Sequence, residues 1–243
     1  MMRTEKLYVR GNLHAQHNED ALAIFEVGNC TKLVAVMDGC SSAKESYFAS
    51  ALLAKLIKKA IQHVQNLSNG TSLDLCAYSS AELGDVILGQ VYSELTTVSK
   101  QLHLDTEEIL TTLLMAVYQK DKDQLWISVS GDGIFGVNDE VTVIDQQNVP
   151  DFMGYHIGHL TYEQWRKGHT QTFEFSNVDR FFLSTDGLEK IRCHHNAELT
   201  NESIRSALIS PTHLSLEEQY LEFMSAYSCL ALDDIAMVLV TAN

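Results

Sequence analysis

Three apolar runs in this chain end in the dipeptide Asp-Gly. They place Asp38, Asp132 and Asp186 directly before Gly39, Gly133 and Gly187. Apolar, β-branched and aromatic runs of this length are typical of buried strands, so each carboxylate would lie where the core meets solvent. The glycine that follows allows a sharp turn or a close approach of the backbone to a ligand. Three such carboxylates from distant parts of the chain could converge on a hard divalent cation, which prefers oxygen ligands.

The same dipeptide is also common in hairpin turns. A hairpin turn fits one of the three sites well and the other two poorly. After Gly133 the sequence continues as another apolar strand, Ile134–Val137, so a hairpin explains Asp132 as well as a metal site does. After the other two pairs the pattern becomes helical, which a two-residue hairpin does not fit. For Asp38 and Asp186 the alternative to a metal ligand is a turn or a helix cap.

Composition limits the classes of protein that this chain can belong to. Its 243 residues are 45% hydrophobic and 20% charged, with only 2 prolines and no linker-like stretch, which predicts one domain over residues 1–243. The formal net charge is -15, and the one basic group is Lys55, Lys58 and Lys59 on a single helix. This charge argues against nucleic-acid binding, which needs cations against the phosphates. No apolar run is long enough to cross a membrane.

The cysteines predict a reducing environment. There are five, an odd number, and none forms a Cys-x-x-Cys pair. Because no signal peptide is recognisable either, the sequence predicts a cytoplasmic protein with reduced thiols.

Hydrophobic periodicity predicts the elements that must position the carboxylates. Two long helices are predicted over 43–67 and 80–101, with Ser68-Asn69-Gly70 ending the first. The second half is mostly strand, and residues 170–175 and 180–184 are predicted to form a hairpin. Residues 148–168 are irregular and are either a flap that selects substrates or a variable loop. Hairpin-paired strands with helices in separate blocks predict an α+β fold of antiparallel sheets covered by helices.

Five acidic motifs follow one another along the chain. They are Asn18-Glu19-Asp20-Ala21, Asp38-Gly39-Cys40-Ser41-Ser42, Gly131-Asp132-Gly133, Thr185-Asp186-Gly187-Leu188 and Asp233-Asp234. In this order they resemble the metal-dependent Ser/Thr protein phosphatases of type 2C. Those enzymes carry Asn-Glu-Asp-Ala, Asp-Gly-x-Gly-Gly, Gly-Asp-Ser, (Ser/Thr)-Asp-Gly-Leu and a final Asp-Asn. The resemblance spans nearly the whole chain.

The resemblance implies a fold and a metal centre. The fold would be a four-layer α/β-sandwich, in which two packed antiparallel β-sheets are flanked by helices. Two Mn²⁺ or Mg²⁺ ions would lie at one end of the sandwich. By motif match, Asp38 would bridge the two ions, the Gly39 carbonyl would help bind one of them, and Glu19 would bind the second.

The remaining motifs imply further ligands and a catalytic set. Asp186 and Asp233 would hold the first ion, and Asp20 would hydrogen-bond water molecules around the ions. A third, weaker ion seen in bacterial relatives would involve Asp132 together with Asp186. The residues that the resemblance implies for catalysis are therefore Asp20, Asp38 and Asp186.

The implied activity is hydrolysis of phosphoserine and phosphothreonine esters in proteins by metal-activated water, in opposition to a Ser/Thr kinase. Phosphate monoesters hydrolyse so slowly that catalysts face a gap of up to ~10²¹-fold. Paired divalent ions can clamp the phosphoryl oxygens and lower the pKa of water from 15.7 to roughly 7. Carboxylates and a carbonyl are sufficient ligands for such ions.

The chain departs from the family pattern where the substrate phosphate would bind. In the family an Arg four residues before the motif Glu grips the phosphate, whereas Ala15 stands here, and His14 and His17 are the nearby candidates to replace it. The Asp-Gly-x-Gly-Gly motif is altered at Cys40 and the two serines after it. We interpret Cys40 as a small packed side chain rather than a nucleophile. The final Asn has become Asp234.

Three alternatives to an active type 2C phosphatase stay open, and one of them is a different metal-dependent hydrolase on a similar scaffold. A catalytically weak or inactive pseudophosphatase would bind a phosphoprotein or regulate a partner, and the missing Arg favours it. A divalent-cation-binding module would bind metal without turning over a phosphoester. The retained metal acids argue against the pseudophosphatase, because an inactive enzyme has no evident need for them. Turnover of a phosphoester separates the enzyme from the cation-binding module.

Overall fold

The computed structural model of the chain describes residues 2–71, 75, 77–147, 149–193 and 199–242. The strands in these ranges are β1 (Arg3–Val9), β2 (Asp20–Val27), β3 (Thr31–Asp38), β4 (Leu113–Gln119), β5 (Gln124–Ser130), β6 (Gly133–Val137), β7 (Glu140–Ile144), β8 (Gln171–Ser176), β9 (Arg180–Ser184), β10 (Ile191–Cys193), β11 (Cys229–Ala231) and β12 (Ile235–Thr241). The α-helices are α1 (Ser46–Thr71), α2 (Ser80–Leu102), α3 (Tyr162–His169), α4 (Asn201–Ile209) and α5 (Leu216–Ala226). Residues 153–155 and 186–190 form short 3₁₀ helices.

The strands form two five-stranded sheets and a small two-stranded one. One large sheet has the order β1-β12-β9-β6-β7, and the other has the order β2-β3-β4-β5-β8. Every pair of neighbouring strands is antiparallel. The prediction of antiparallel sheets flanked by helices is confirmed.

Alternating side chains along β3 show why the molecule has four layers. Leu33, Ala35 and Met37 point to one face of their sheet and pack in a cluster with residues of α1 and α2. Val34 and Val36 point to the other face and pack between the two sheets. Successive side chains of a strand point to opposite faces, so a strand that is apolar throughout must be covered on both sides.

Strand β12, in the other large sheet, is also apolar on both faces. Ala236 and Val238 face the layer between the sheets. Met237 and Leu239 face outward and share a cluster with residues of α4 and α5. The order of the layers is therefore helices, sheet, sheet, helices.

The predicted hairpin of residues 170–175 and 180–184 is wrong, and so is the hairpin alternative at Asp132-Gly133, because both pairs of strands divide between the two sheets. Strand β8 pairs with β5, whereas β9 pairs with β12 and β6. The Asp132-Gly133 turn likewise joins β5 to β6, which lie in different sheets. Phe173 of β8 and Phe135 of β6 both face the layer between the sheets. An apolar strand can bury its side chains in this layer from either sheet, so its burial pattern does not identify its partner.

The predicted helices occur, with different ends. Helix α2 runs within one residue of the prediction and begins with a capping box, in which Ser79 and Glu82 satisfy each other's backbone N–H groups. Helix α1 starts at Ser46 and continues to Thr71, through the Ser-Asn-Gly predicted to end it. One glycine costs a helix only about 1 kcal/mol, so it does not have to end one. Within 148–168, helix α3 provides regular structure.

The cysteines are not all reduced, which corrects the prediction. Cys193 and Cys229 form a disulfide across the antiparallel pair β10 and β11, where they lie directly opposite each other. Cys76 and Asn148 lie outside the described residues. Among the described helices, none combines the length and the apolar character needed to cross a membrane.

Candidate functional site

Five chain segments bring acidic residues to one end of the sandwich. The antiparallel register requires this, because the start of one strand lies beside the end of its neighbour. Ser184 at the end of β9 pairs with the starts of β6 and β12, at Ile134 and Met237. Asp20 at the start of β2 likewise pairs with Asp38 at the end of β3. Acidic residues at or beside these strand ends of both sheets therefore meet at one end of the sandwich. They are Glu19, Asp20, Asp38, Asp132, Asp186, Asp233 and Asp234.

A cleft of about 240 Å³ opens at this end of the sandwich. Four of the predicted acids line it, namely Asp38, Asp132, Asp186 and Asp233. Gly39, Cys40, Thr112 and Lys190 complete that side, and Pro150 and Phe152 of the predicted flap border the cleft. Residues that are up to about two hundred positions apart in the sequence thus line one small cleft. This cleft is the candidate active site.

Asp20 and Asp38 are paired directly across β2 and β3. Asp20 is buried, and one of its oxygens, Oδ2, accepts a hydrogen bond from the Thr185 hydroxyl at 2.7 Å. The same hydroxyl accepts the backbone N–H of Ala236 at 3.0 Å. Thr185 therefore links the Asp20 carboxylate to the start of β12.

Two threonines fix the end of β3, where Asp38 and Gly39 lie. The hydroxyl of Thr112 accepts the backbone N–H of Asp38 at 2.9 Å, and the hydroxyl of Thr111 donates to its carbonyl at 2.8 Å. A Cβ on Gly39 would lie 2.0 Å from the Ser46 carbonyl oxygen. Glycine is required here because the first turn of α1 approaches the strand end so closely.

Glu19 is held at both its backbone and its side chain. Ser46 donates to Oε1 at 2.5 Å, and Ser50 donates to the Glu19 carbonyl at 2.5 Å. Asp234 accepts the backbone N–H of Glu19 at 2.5 Å and that of Gly11 at 2.7 Å. None of these hydrogen bonds involves Oε2 of Glu19, and that oxygen is buried without a hydrogen-bond partner.

Lys190 bridges two of the predicted metal ligands. Its Nζ lies 2.9 Å from Asp186 Oδ2 and 2.7 Å from Asp233 Oδ2. Burial opposes protonation of Lys190, but the hydrogen bonds and charges of Asp233 and Asp186 outweigh it and raise its pKa. The ammonium is thus a built-in cation between the two carboxylates.

The carboxylates resist ionisation in this arrangement. Burial and the charges of Asp234 and Asp233 raise the pKa of Asp20 to about 8, against the opposing hydrogen bond from Thr185. Burial and the charges of Asp20 and Asp186 also raise the pKa of Asp38 well above its usual value. For Asp132, burial and Asp186 raise the pKa to about 6. Like charges held together away from water raise one another's pKa, and a divalent cation among them would reverse this.

Unpartnered oxygens indicate that the residues fit a cation. Three buried carboxylate oxygens have no hydrogen-bond partner, and they are Glu19 Oε2, Asp20 Oδ1 and Asp186 Oδ1. Buried polar atoms are normally satisfied, and exceptions often mark a site for an ion or water. The donor set is all oxygen, which suits Mg²⁺ and Mn²⁺. For Asp186 the cation would replace Lys190.

The two candidate phosphate-binding histidines lie in different surroundings. His14 is among the acids, with Nδ1 2.7 Å from Asp234 Oδ2 and Nε2 3.7 Å from Glu19 Oε2. Burial lowers its pKa, but the contacts with Asp234, Glu19 and Asp233 outweigh burial and raise it. His17 is exposed and packs its ring 4.4 Å from that of Tyr47.

Three residues of this site were not predicted from the sequence. The roles that were missed are those of Lys190 as a cation between two carboxylates, of Thr185 as a hydrogen-bond donor to Asp20, and of Asp234 as the residue that positions Glu19. Lys190 stands four residues after Asp186, and a Lys at that spacing on a helical turn was the one available signal. The other two act on residues more than 150 positions away.

Comparison with known proteins gives one family and one fold. The family model described as protein phosphatase 2C matches residues 11–231. No match was found among curated proteins.

Solved structures with the same fold cover the whole chain. A bacterial serine phosphatase is 16% identical, with a TM-score of 0.64 over 100% of this chain and 98% of its own. The serine/threonine phosphatase Stp1 from Staphylococcus aureus is 16% identical, with a TM-score of 0.66 over 100% and 96%. RsbX, solved in complex with magnesium, is 13% identical, with a TM-score of 0.58 over 100% and 96%. At these identities the likeness is one of fold.

Proposed function

Because the chain belongs to the protein phosphatase 2C family, we propose that it is a metal-dependent phosphatase that hydrolyses phosphoserine and phosphothreonine esters in proteins. Its partners would then be a phosphorylated protein substrate and the kinase that opposes it. The observation that carries the proposal is the convergence of carboxylates at one end of the sandwich. Asp38, Asp132, Asp186 and Asp233 line the cleft there, and Glu19, Asp20 and Asp186 each have a buried oxygen without a hydrogen-bond partner.

The proposed ligands follow from the motif match and the positions of the side chains. Asp38 would be shared by two ions, Mn²⁺ or Mg²⁺, with Glu19 and the Gly39 carbonyl on one side. Asp186 and Asp233 would hold the other ion. Asp132, which lines the same cleft, would contribute with Asp186 to a third and weaker site.

Each of the chain's own groups has a distinct part in the proposed reaction. When bound, the ions would supply the positive charge that makes water acidic and that neutralises phosphoryl oxygens. Asp20 has one oxygen, Oδ1, without a hydrogen-bond partner in the protein, and by the motif match it would hydrogen-bond water molecules around the ions. The hydrogen bond from Thr185 to Oδ2 keeps the carboxylate in this orientation.

The substrate phosphate would be bound without the family's Arg. His14 remains the first candidate, because it lies among the acids, with Nε2 3.5 Å from Asp233 Oδ1, and an imidazole attracts phosphate when it is protonated. His17 is the second candidate and is exposed beside Tyr47. Lys190 adds a permanent cation to the cleft wall and would become available to phosphate once an ion takes its place between the carboxylates.

Release of inorganic phosphate from phosphopeptides tests the proposal. We expect metal-stripped protein to release none, and added Mn²⁺ or Mg²⁺ to start release from phosphothreonine and phosphoserine peptides. Chelator should stop the reaction, and excess Mn²⁺ should restore it. A protein that bound the peptides and the ions but released no phosphate under any of these conditions would be a pseudophosphatase, and the proposal would fail.

Lys190→Met is expected to tighten Mn²⁺ binding by about tenfold. Lys190 competes with the ion for Asp186 and Asp233. Each such partly exposed pair is worth up to ~1 kcal/mol, so displacing both costs up to ~2 kcal/mol. A tenfold change in affinity corresponds to about 1.4 kcal/mol, which lies within this range. Calorimetric titration with Mn²⁺ measures the change. Lys59→Met is the matched control, since Lys59 pairs with Glu94 away from the cleft. Equal Mn²⁺ affinity in wild type and Lys190→Met would show that the ion does not bind between these carboxylates.

A further inference from the structure

We propose that Asp151, His156 and His169 form a separate binding site for a transition-metal ion, of which Zn²⁺ is the best fit. The three residues lie on the segment beside the cleft, and none belongs to the acidic set described above. The proposal does not depend on the phosphatase activity.

The three side chains converge from three different local structures. Asp151 follows β7 in an extended stretch, His156 comes directly after the 3₁₀ helix at 153–155, and His169 is the last residue of α3. His156 Nε2 lies 2.6 Å from Asp151 Oδ1, and His169 Nδ1 lies 2.7 Å from Asp151 Oδ2. The two imidazole rings face each other with centroids 3.8 Å apart. One potential ligand atom from each residue lies within 4.8 Å of the other two.

The donor types select the kind of ion. Two imidazole nitrogens and one carboxylate are ligands that Zn²⁺ and similar transition metals prefer, at about 2.0–2.2 Å each. Mg²⁺ and Ca²⁺ favour sites made of oxygen only, such as the acidic cleft. The chain therefore carries two clusters with different chemical preferences, and the ions that suit one suit the other poorly.

The present spacing of the atoms is compact but can open to hold an ion. Ligand atoms at those bond lengths around a tetrahedral ion lie about 3.3 Å apart, whereas the hydrogen-bonded pairs here are 2.6 and 2.7 Å apart. The two pairs must therefore separate by about 0.6–0.7 Å, and side-chain rotation at these partly exposed residues can supply it. The exposed fractions of the side chains are 38% for Asp151, 16% for His156 and 32% for His169. Water can thus reach a fourth coordination position.

The backbone around the three residues is already fixed. The Tyr92 hydroxyl donates to the His156 carbonyl at 3.1 Å. The backbone N–H of Asp151 donates to Gln146 Oε1 at 2.5 Å, and its carbonyl accepts the Ser130 hydroxyl at 3.2 Å. A metal site gains affinity when its ligands are held in place before the ion arrives.

The proposed zinc site lies directly beside the acidic cleft. Asp151 stands between Pro150 and Phe152, and both of these neighbours line the cleft. Its carbonyl is bonded to Ser130, two residues before Asp132. An ion bound at the three residues would therefore tie α3 to the wall of the cleft and fix that wall in position.

Without an ion, the same groups form a latch of two hydrogen bonds from imidazoles to one carboxylate. The latch alone would bind no Zn²⁺, so a binding experiment separates it from a metal site. We would titrate metal-stripped protein with Zn²⁺ by calorimetry in excess Mg²⁺, which occupies the acidic cleft. The variants are His169→Gln and the double change His156→Ala with His169→Ala. The matched control is His159→Ala, an exposed histidine of the same segment.

We expect wild type and His159→Ala to bind one equivalent of Zn²⁺ that excess Mg²⁺ does not displace. We expect this equivalent to be lost in His169→Gln and in the double variant, with the thermal unfolding of His169→Gln close to that of wild type. His169 is half-exposed at the end of a helix, so the single variant keeps the test valid even if the double variant does not fold. If wild type and His169→Gln bind the same number of Zn²⁺ equivalents, or if wild type binds none in excess Mg²⁺, the proposal is wrong.

Discussion

Asp38→Asn and Asp186→Asn are each expected to lower the turnover of a phosphothreonine peptide by about a hundredfold or more, with the fold intact. Each change keeps the shape of the side chain and removes a negative charge from the cleft. Asp38 ends β3 opposite Asp20, and Asp186 carries an unpartnered buried oxygen, so both charges are placed to act on an ion. Steady-state kinetics at saturating Mn²⁺ measure the loss, and circular dichroism measures the fold.

Asp121→Asn is the matched control for this pair. Asp121 is exposed in the β4–β5 turn, at the opposite end of the sandwich, so its loss should leave turnover unchanged. If both cleft variants bound Mn²⁺ normally and kept near-normal turnover, Asp38 and Asp186 would be turn or cap residues, and the active site would lie elsewhere.

Gly187→Ala is expected to destabilise the protein by about 3 kcal/mol or more and to abolish turnover. A Cβ at Gly187 would lie 1.7 Å from the carbonyl oxygen of Asp234 and 2.8 Å from its carbonyl carbon. Backbone atoms cannot move aside as a flexible side chain can, so the 3₁₀ turn after β9 would have to separate from the start of β12. That movement would separate Asp186 from Asp233, because each is the neighbour of one of the two clashing residues.

Urea unfolding measures this loss of stability, with Gly168→Ala as the control. A Cβ at Gly168 meets no atom within 4 Å, and the residue lies in α3, where alanine is favoured over glycine by about 1 kcal/mol at most. Gly168→Ala should therefore be neutral or slightly stabilising. Equal unfolding midpoints for Gly187→Ala and wild type would mean that the start of β12 can move away from this turn without loss of stability.

The fold class could be predicted from the sequence because its signals are local. Strands such as β3 and β12 are apolar on both faces, which requires a layer on each side. The Asp-Gly pairs mark strand ends, and antiparallel pairing brings those ends together. Three of the four acids that line the cleft, Asp38, Asp132 and Asp186, could therefore be predicted from local pattern. The fourth, Asp233, stands in no Asp-Gly pair, and its role was implied by the family resemblance.

Strand partners could not be predicted in the same way. Asp132-Gly133 has the sequence of a hairpin turn, yet β5 and β6 divide between the sheets. Gly131 and Gly133 both have positive φ, at 87° and 146°, but two-residue hairpin turns also use positive φ, so the turn residues do not separate a crossing from a hairpin. The choice between a hairpin and a crossing depends on which distant strand offers a free edge, and a local pattern does not contain that information.

The supporting contacts of the cleft depend on distant residues too. Thr185 reaches Asp20 across 165 positions, and Asp234 reaches Glu19 across 215. The disulfide between Cys193 and Cys229 also depends on a pairing of two short strands that no local pattern indicates. The histidines of the proposed zinc site stand 13 positions apart, a spacing that does not by itself indicate a metal site. They are neighbours only because of where α3 ends in the fold.

Counting the Mn²⁺ ions bound per chain by equilibrium dialysis tests the central claim, that the converging carboxylates form a binuclear metal centre. The measurement is made in the His156→Ala, His169→Ala background, or with His169→Gln, so that only the acidic cleft contributes. We expect two tightly bound Mn²⁺ ions per chain, beside the weaker third one, and we expect the loss of at least one of the two in Asp38→Asn while Asp121→Asn keeps both. Equal Mn²⁺ counts with and without the Asp38 carboxylate, or no Mn²⁺ bound to the intact cleft, would contradict it.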